Sequence, residues 1–127
     1  MRKTILLILI LILFHSCGKK YGEIKSDFRN PEKLIIETEK EKKETTDKTI
    51  ISEFLTLTEN AYEIEPHKCM YNFKIHLVND KNEILTFYLT KGHSQNYYEF
   101  SNNGTFEMDK SKFENLIKSL DYELSEL

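Results

Sequence analysis

A chain of 127 residues, 39% hydrophobic and 31% charged, has room for one domain and enough apolar material for a core, so wholesale disorder is excluded. The formal net charge of −3 leaves no electrostatic footprint for nucleic acid. Four glycines in total leave little scope for a phosphate-cradling loop, and neither an HExxH nor a GxSxG motif occurs.

The first 17 residues have three parts: basic Arg2 and Lys3, an unbroken apolar run from Ile5 to Phe14, and His15-Ser16-Cys17 at its end. Ten apolar residues in a helix reach about 15 Å, half of a ~30 Å hydrocarbon core, so a transmembrane anchor is disfavoured and the layout is that of a secretory signal peptide. Leu13-Phe14-His15-Ser16-Cys17 resembles the lipobox of bacterial lipoproteins, an aliphatic residue and two small or neutral ones before an obligatory cysteine. Ser16 and Cys17 match that pattern; Phe14 stands where Leu is usual and His15 is bulkier than the norm. The resemblance covers the leader alone. It implies diacylglyceryl transfer to the Cys17 sulfur, cleavage after Ser16, and anchoring by two or three acyl chains at ~0.8 kcal/mol per buried CH₂. Cleavage removes Arg2 and Lys3, taking 18 basic residues to 16 against 21 acidic ones, a net charge of −5. The resemblance also implies attachment to a membrane of the bacterial cell envelope. Gly18, rather than Asp, after the cysteine points to the outer membrane where a cell has two.

Residues 17–48 are read as the lipidated terminus and a polar spacer, because nine of the twelve residues from Glu37 to Lys48 are charged, with both signs present. A flexible spacer of this length would span roughly 30 Å and clear the headgroups. A helix capped by Asn30 with Pro31 at its first position is the competing reading.

Residues 49–127 are expected to form the folded domain. Thr49 to Glu65 fits either element: Ile50, Ile51, Phe54, Leu55 and Tyr62 suit a helix face, whereas Leu55-Thr56-Leu57-Thr58 and Tyr62-Glu63-Ile64-Glu65 alternate. Its β-branched content favours strand. Cys69, Tyr71, Phe73, Ile75 and Leu77 share one face of a predicted strand over 69–78, and Leu85, Phe87 and Leu89 share one of a second over 83–91. Matching those faces demands an odd loop, Asp80-Lys81-Asn82, with Asn82 left-handed. The next hairpin needs the three-residue loop Asn102-Asn103-Gly104 to set Phe100 against Phe106 and Tyr98 against Met108. The shorter turn invited by Asn103-Gly104 would oppose Phe100 to Glu107. Phe113, Leu116, Ile117, Leu120 and Leu124 mark a C-terminal helix, capped either by Asp109 or by the box Ser111-x-x-Glu114. The expected fold is α+β, an antiparallel β-meander of four to six strands with that helix packed on one face.

Chemistry-bearing residues are sparse. Lipidation of Cys17 leaves Cys69 without an internal partner, and its place on the apolar face suits packing better than nucleophilic or disulfide chemistry. His67, His76 and His93 form no local metal motif, so no metal or cofactor is expected, and His76 falls on the solvated face. Glu99 and Glu107 can neighbour one another across the last hairpin, where a solvated pair is the simplest reading. His93, Gln95, Asn96 and Tyr97 are the candidate partner-binding residues: a polar loop leads into adjacent tyrosines that must point to opposite faces, Tyr98 into the core and Tyr97 outward. The resulting expectation is a membrane-tethered, non-enzymatic module that binds an envelope or secreted protein as an inhibitor, immunity or assembly factor. A small envelope enzyme using Cys69 or His residues, or a purely structural envelope component, are the alternatives.

Overall fold

The computed structural model describes residues 20–22, 24–66, 70–91 and 95–122. A 3-10 turn at Ser26–Phe28 precedes β1 (Lys33–Glu37), β2 (Lys42–Thr45), α1 (Lys48–Glu59), β3 (Tyr62–Ile64), β4 (Phe73–Val78), β5 (Ile84–Thr90), β6 (Tyr97–Ser101), β7 (Thr105–Asp109) and α2 (Lys110–Lys118). The strands form one antiparallel sheet in the order β2-β1-β4-β5-β6-β7-β3. The fold is therefore α+β, a meander with a C-terminal helix as the periodicity predicts, but with seven strands and a second helix.

Register follows the apolar faces. Phe73, Ile75 and Leu77 lie opposite Leu89, Phe87 and Leu85, and Asn82 at the tip takes φ 61°. Asn79 secures this turn, its side chain accepting from the amides of Lys81 and Glu83 at 3.0 and 2.9 Å. In the β6–β7 hairpin Phe100 opposes Phe106 and Tyr98 opposes Met108, with Asn103 at φ 50° and Gly104 at φ 140°. One-residue slippage in either hairpin would turn every apolar side chain to the wrong face, which is why the hydrophobic pattern dictates loop length.

Two readings of the sequence change. The segment expected as a tether carries β1 and β2, and Leu34 and Ile36 are wholly buried opposite Leu77 and Ile75 of β4. Their alternation was hidden in the short run Leu34-Ile35-Ile36, and the charged residues after it form the edge strand β2. Charge there discourages pairing with another chain. Residues 48–59 are helix rather than strand. Asp47 caps α1 by accepting from the amides of Thr49 and Ile50 at 2.8 and 3.4 Å, and Ile51, Phe54 and Thr58 form its buried stripe. Burial of that stripe outweighs the modest β preference of its Thr and Ile residues. The strand reading holds for the second half, where Tyr62–Ile64 becomes β3. The strand expected from 69 begins at Phe73, and Tyr71 lies half-exposed beside Tyr88, with ring centroids 5.1 Å apart, rather than in the core.

The apolar face of the sheet carries Leu34, Ile36, Phe73, Ile75, Leu77, Phe87, Leu89, Tyr98, Phe100, Phe106 and Met108, and three pieces cover it. One is α1, which leaves β2 at one edge and delivers β3 to the other; Phe54 meets Phe87 edge-on at 5.2 Å. The second is α2, whose Phe113, Leu116 and Ile117 are buried and whose cap is Asp109, accepting from the Lys112 amide at 2.9 Å. The third is the N-terminal strap, where Tyr21 packs against Phe106 and Phe100 with centroids 4.9 and 5.3 Å apart and Ile24 and Phe28 are buried.

Candidate functional site

Of the four residues singled out in the sequence, Gln95, Asn96 and Tyr97 lie together at the junction of β6, β7 and α2. The amide of Lys110, the first residue of α2, donates to the Asn96 carbonyl at 3.1 Å, which fixes the approach to β6 against the helix start. Gln95, Asn96 and Tyr97 then line a groove of about 510 Å³ with Asp109, Lys110, Ser111 and Glu114. Tyr97 lies opposite Asp109 in the ladder, and both also line a larger, adjoining groove of about 750 Å³. The larger groove runs past Lys112 and Asn115 of α2 and Ser52, Glu53 and Thr56 of α1 to Tyr62 and Lys20. It lies at the β7 edge of the sheet, where β3 pairs only with residues 105–107.

Alternation sets the roles of the two adjacent tyrosines. Tyr98 is wholly buried, whereas Tyr97 is 43% exposed. Tyr97 therefore presents an aromatic ring with a polar tip from the end of β6 that is paired to Asp109 of β7, and an aromatic side chain binds with little entropy to lose. Around it the charges alternate: Lys110, Lys112 and Lys20 against Glu53, Glu107, Asp109 and Glu114. The Asp109 carboxylate already occupies the N-terminus of α2, so that end is no cradle for an anion. Such a surface suits hydrogen bonding to a polar, mixed-charge partner. Among the described residues no three His, Cys, Asp or Glu side chains are grouped to hold a metal ion.

Cys17, His67, Cys69 and His93 lie outside the described residues, so the expectations attached to them find no geometry here. His76 differs from its expected solvated state: its Nε2 lies 2.8 Å from Glu37 Oε2 and its Nδ1 2.8 Å from Thr86 Oγ1. Nε2–H can donate to the carboxylate while Nδ1 shares a hydrogen bond with the Thr86 hydroxyl, so both ring nitrogens have partners. Glu99 and Glu107 are cross-strand partners as the hairpin register requires, but Glu99 is buried rather than solvated. Lys20 and Tyr62 are the site residues sequence reasoning missed. Their proximity depends on the strap lying against β3; in the sequence Lys20 falls in the polar stretch that reads as a tether and Tyr62 in a stretch that fits either helix or strand.

The fold and groove define a small α+β protein with a polar, tyrosine-bearing surface at one sheet edge. Comparison with protein-family models, curated proteins and solved structures finds no match to the chain. Among the described residues no helix is long and apolar enough to cross a membrane.

Proposed function

We propose that this protein is a lipid-anchored component of the bacterial cell envelope that acts as a protein-binding module. The observation that carries the binding role is Tyr97, a half-exposed aromatic between two grooves, flanked by exposed Gln95 and Asn96 and backed by β7 and α2. Rigid aromatic anchors ringed by polar groups are what protein interfaces concentrate. The anchor rests on the leader and on Ser16-Cys17, which resemble a lipobox.

Two experiments test the two parts. The full-length chain, solubilised in detergent, serves as bait for envelope extract beside Tyr97→Ala and Asn96→Ala variants. One stoichiometric protein retained by the parent and lost from both variants is the expected result; an identical set of bound proteins sinks the groove as a binding site. A Cys17→Ser variant is expected to leave the membrane fraction and lose the lipid mass. Unchanged partitioning and mass would dismiss the anchor.

A further inference from the structure

The strap fixes how far the fold stands from Cys17. The Tyr21 amide donates to the Ala61 carbonyl at 2.9 Å, its hydroxyl donates to Asn102 Oδ1 at 2.9 Å, and the Gly22 amide donates to the Glu59 carbonyl at 3.4 Å. Lys20 is bridged antiparallel to Tyr62 of β3. The chain is thus committed to the domain from Lys20 onward, and only Gly18 and Lys19 separate it from Cys17. Three Cα steps span at most about 11 Å. The headgroup layer of one leaflet is itself roughly 5–8 Å thick, so little of that reach is left to lift the domain.

At this exit the edge sets an aromatic ring and a cation beside the exposed carboxylates of Glu63 and Glu65, so it is the Tyr62–Lys20 pair that suits the layer. Tyr62 is 47% exposed, and the Lys20 ammonium lies 5.6 Å from its ring centroid. An amphipathic ring with a flexible cation beside it is the type of pair that settles at headgroup level, apolar body inward and polar tips in water.

We infer that the β3 edge, through Lys20 and Tyr62, rests against the phospholipid headgroups of the membrane that holds the Cys17 lipid, so that the domain stands on the bilayer by that edge. This rests on Cys17 carrying lipid. The β2 edge lies six strand spacings away, up to ~29 Å at ~4.8 Å each. Headgroup contact takes the Lys20–Tyr62 end of the larger groove and leaves the smaller groove of Gln95, Asn96 and Tyr97 for a protein partner held at membrane level.

The chain contains no Trp, so single introduced tryptophans report cleanly. Tyr62→Trp and Lys40→Trp, the latter in the exposed β1–β2 turn, are made in the full-length lipidated protein. Each is reconstituted in phosphatidylcholine–phosphatidylglycerol vesicles that carry a nitroxide on the headgroup. Quenching several-fold stronger for Tyr62→Trp than for Lys40→Trp is expected; equal quenching in protein that floats with the vesicles overturns the orientation and leaves the anchor standing. Failure to float, with no lipid mass on Cys17, overturns both. A Gly/Ser insertion of about 30 residues between Gly18 and Lys19, spanning roughly 30 Å, is expected to erase the difference. A difference that survives the insertion overturns the short link as its cause.

Discussion

The carboxylate of Glu37 reaches diagonally across the β1–β4 ladder to His76: its register partner is Lys74, yet its Oε2 lies 2.8 Å from His76 Nε2 and 3.3 Å from Lys42 Nζ. Hydrogen bonds from His76 first and Lys42 second hold the Glu37 carboxyl below its ordinary value of 4.5. A depressed acid stabilises the fold above its unfolded pKa, and that stabilisation is lost as pH falls through the folded one. Glu37→Gln is therefore expected to cost a little stability near neutrality, with the difference from the parent shrinking in the acid range below 4.5. Urea denaturation across pH checks this, and a difference independent of pH would refute it. The site is at the surface, so the whole effect is small.

Tyr98 makes the opposite kind of case. Its ring stacks at a tilt on Phe113 at 4.9 Å, but its hydroxyl is buried with no hydrogen-bond partner among the described residues, and burial pushes its pKa far up. An unsatisfied buried hydroxyl costs about 1–3 kcal/mol, so Tyr98→Phe is expected to raise stability by ~1 kcal/mol while leaving the ring packing in place. A urea midpoint that falls in the variant would show that the hydroxyl is bonded after all.

The strands of the former spacer give the sharpest test of where the domain begins. Leu34→Ala and Ile36→Ala remove side chains with no exposed surface and are each expected to cost about 2–5 kcal/mol, a loss no solvated tether could register. A chain starting at residue 49 loses β1, β2 and the strap, and with them the cover over Leu77, Ile75 and Phe100. Loss of cooperative thermal unfolding in that truncation is the expected readout. A cooperative transition at the parent's temperature would return these strands to the status of a tether.

Where the sequence was legible, it was legible through pairs of facing strands. Phe73, Ile75 and Leu77 could be matched to Leu89, Phe87 and Leu85 because alternation sustained over several residues leaves one consistent register. The same logic located Tyr97 outside and Tyr98 inside. It failed for Leu34 and Ile36, whose strand is too short for alternation to be distinguished from a helix turn. It failed also for α1, where β-branched content outweighed the helix face of Ile50, Ile51, Phe54, Leu55 and Tyr62; the Asp47 cap and the buried stripe of Ile51, Phe54 and Thr58 that settle the helix are seen only in the fold. The groove was half visible: Gln95, Asn96 and Tyr97 are contiguous, but Lys20 and Tyr62 meet only because α1 returns the chain to the far edge, a relationship set by topology and not by local pattern.

Gly104 tests the register argument at its turning point. The loop Asn102-Asn103-Gly104 satisfies the facing pair Phe100 and Phe106 only if its last residue takes a positive φ, and Gly104 does so at 140°. A Cβ placed there would stand 3.0 Å from the Phe106 ring, so Gly104→Ala meets backbone strain and a crowded aromatic together. Strain of this kind costs about 1–3 kcal/mol. The neighbouring Asn103, at φ 50°, is expected to accept glycine with little loss, since the left-handed region is open to both residues. Paired denaturation curves for Gly104→Ala and Asn103→Gly decide the point. If alanine at 104 is tolerated as well as glycine at 103, the hairpin can relax into the shorter turn its Asn-Gly dipeptide invites, and the hydrophobic register does not govern the loop.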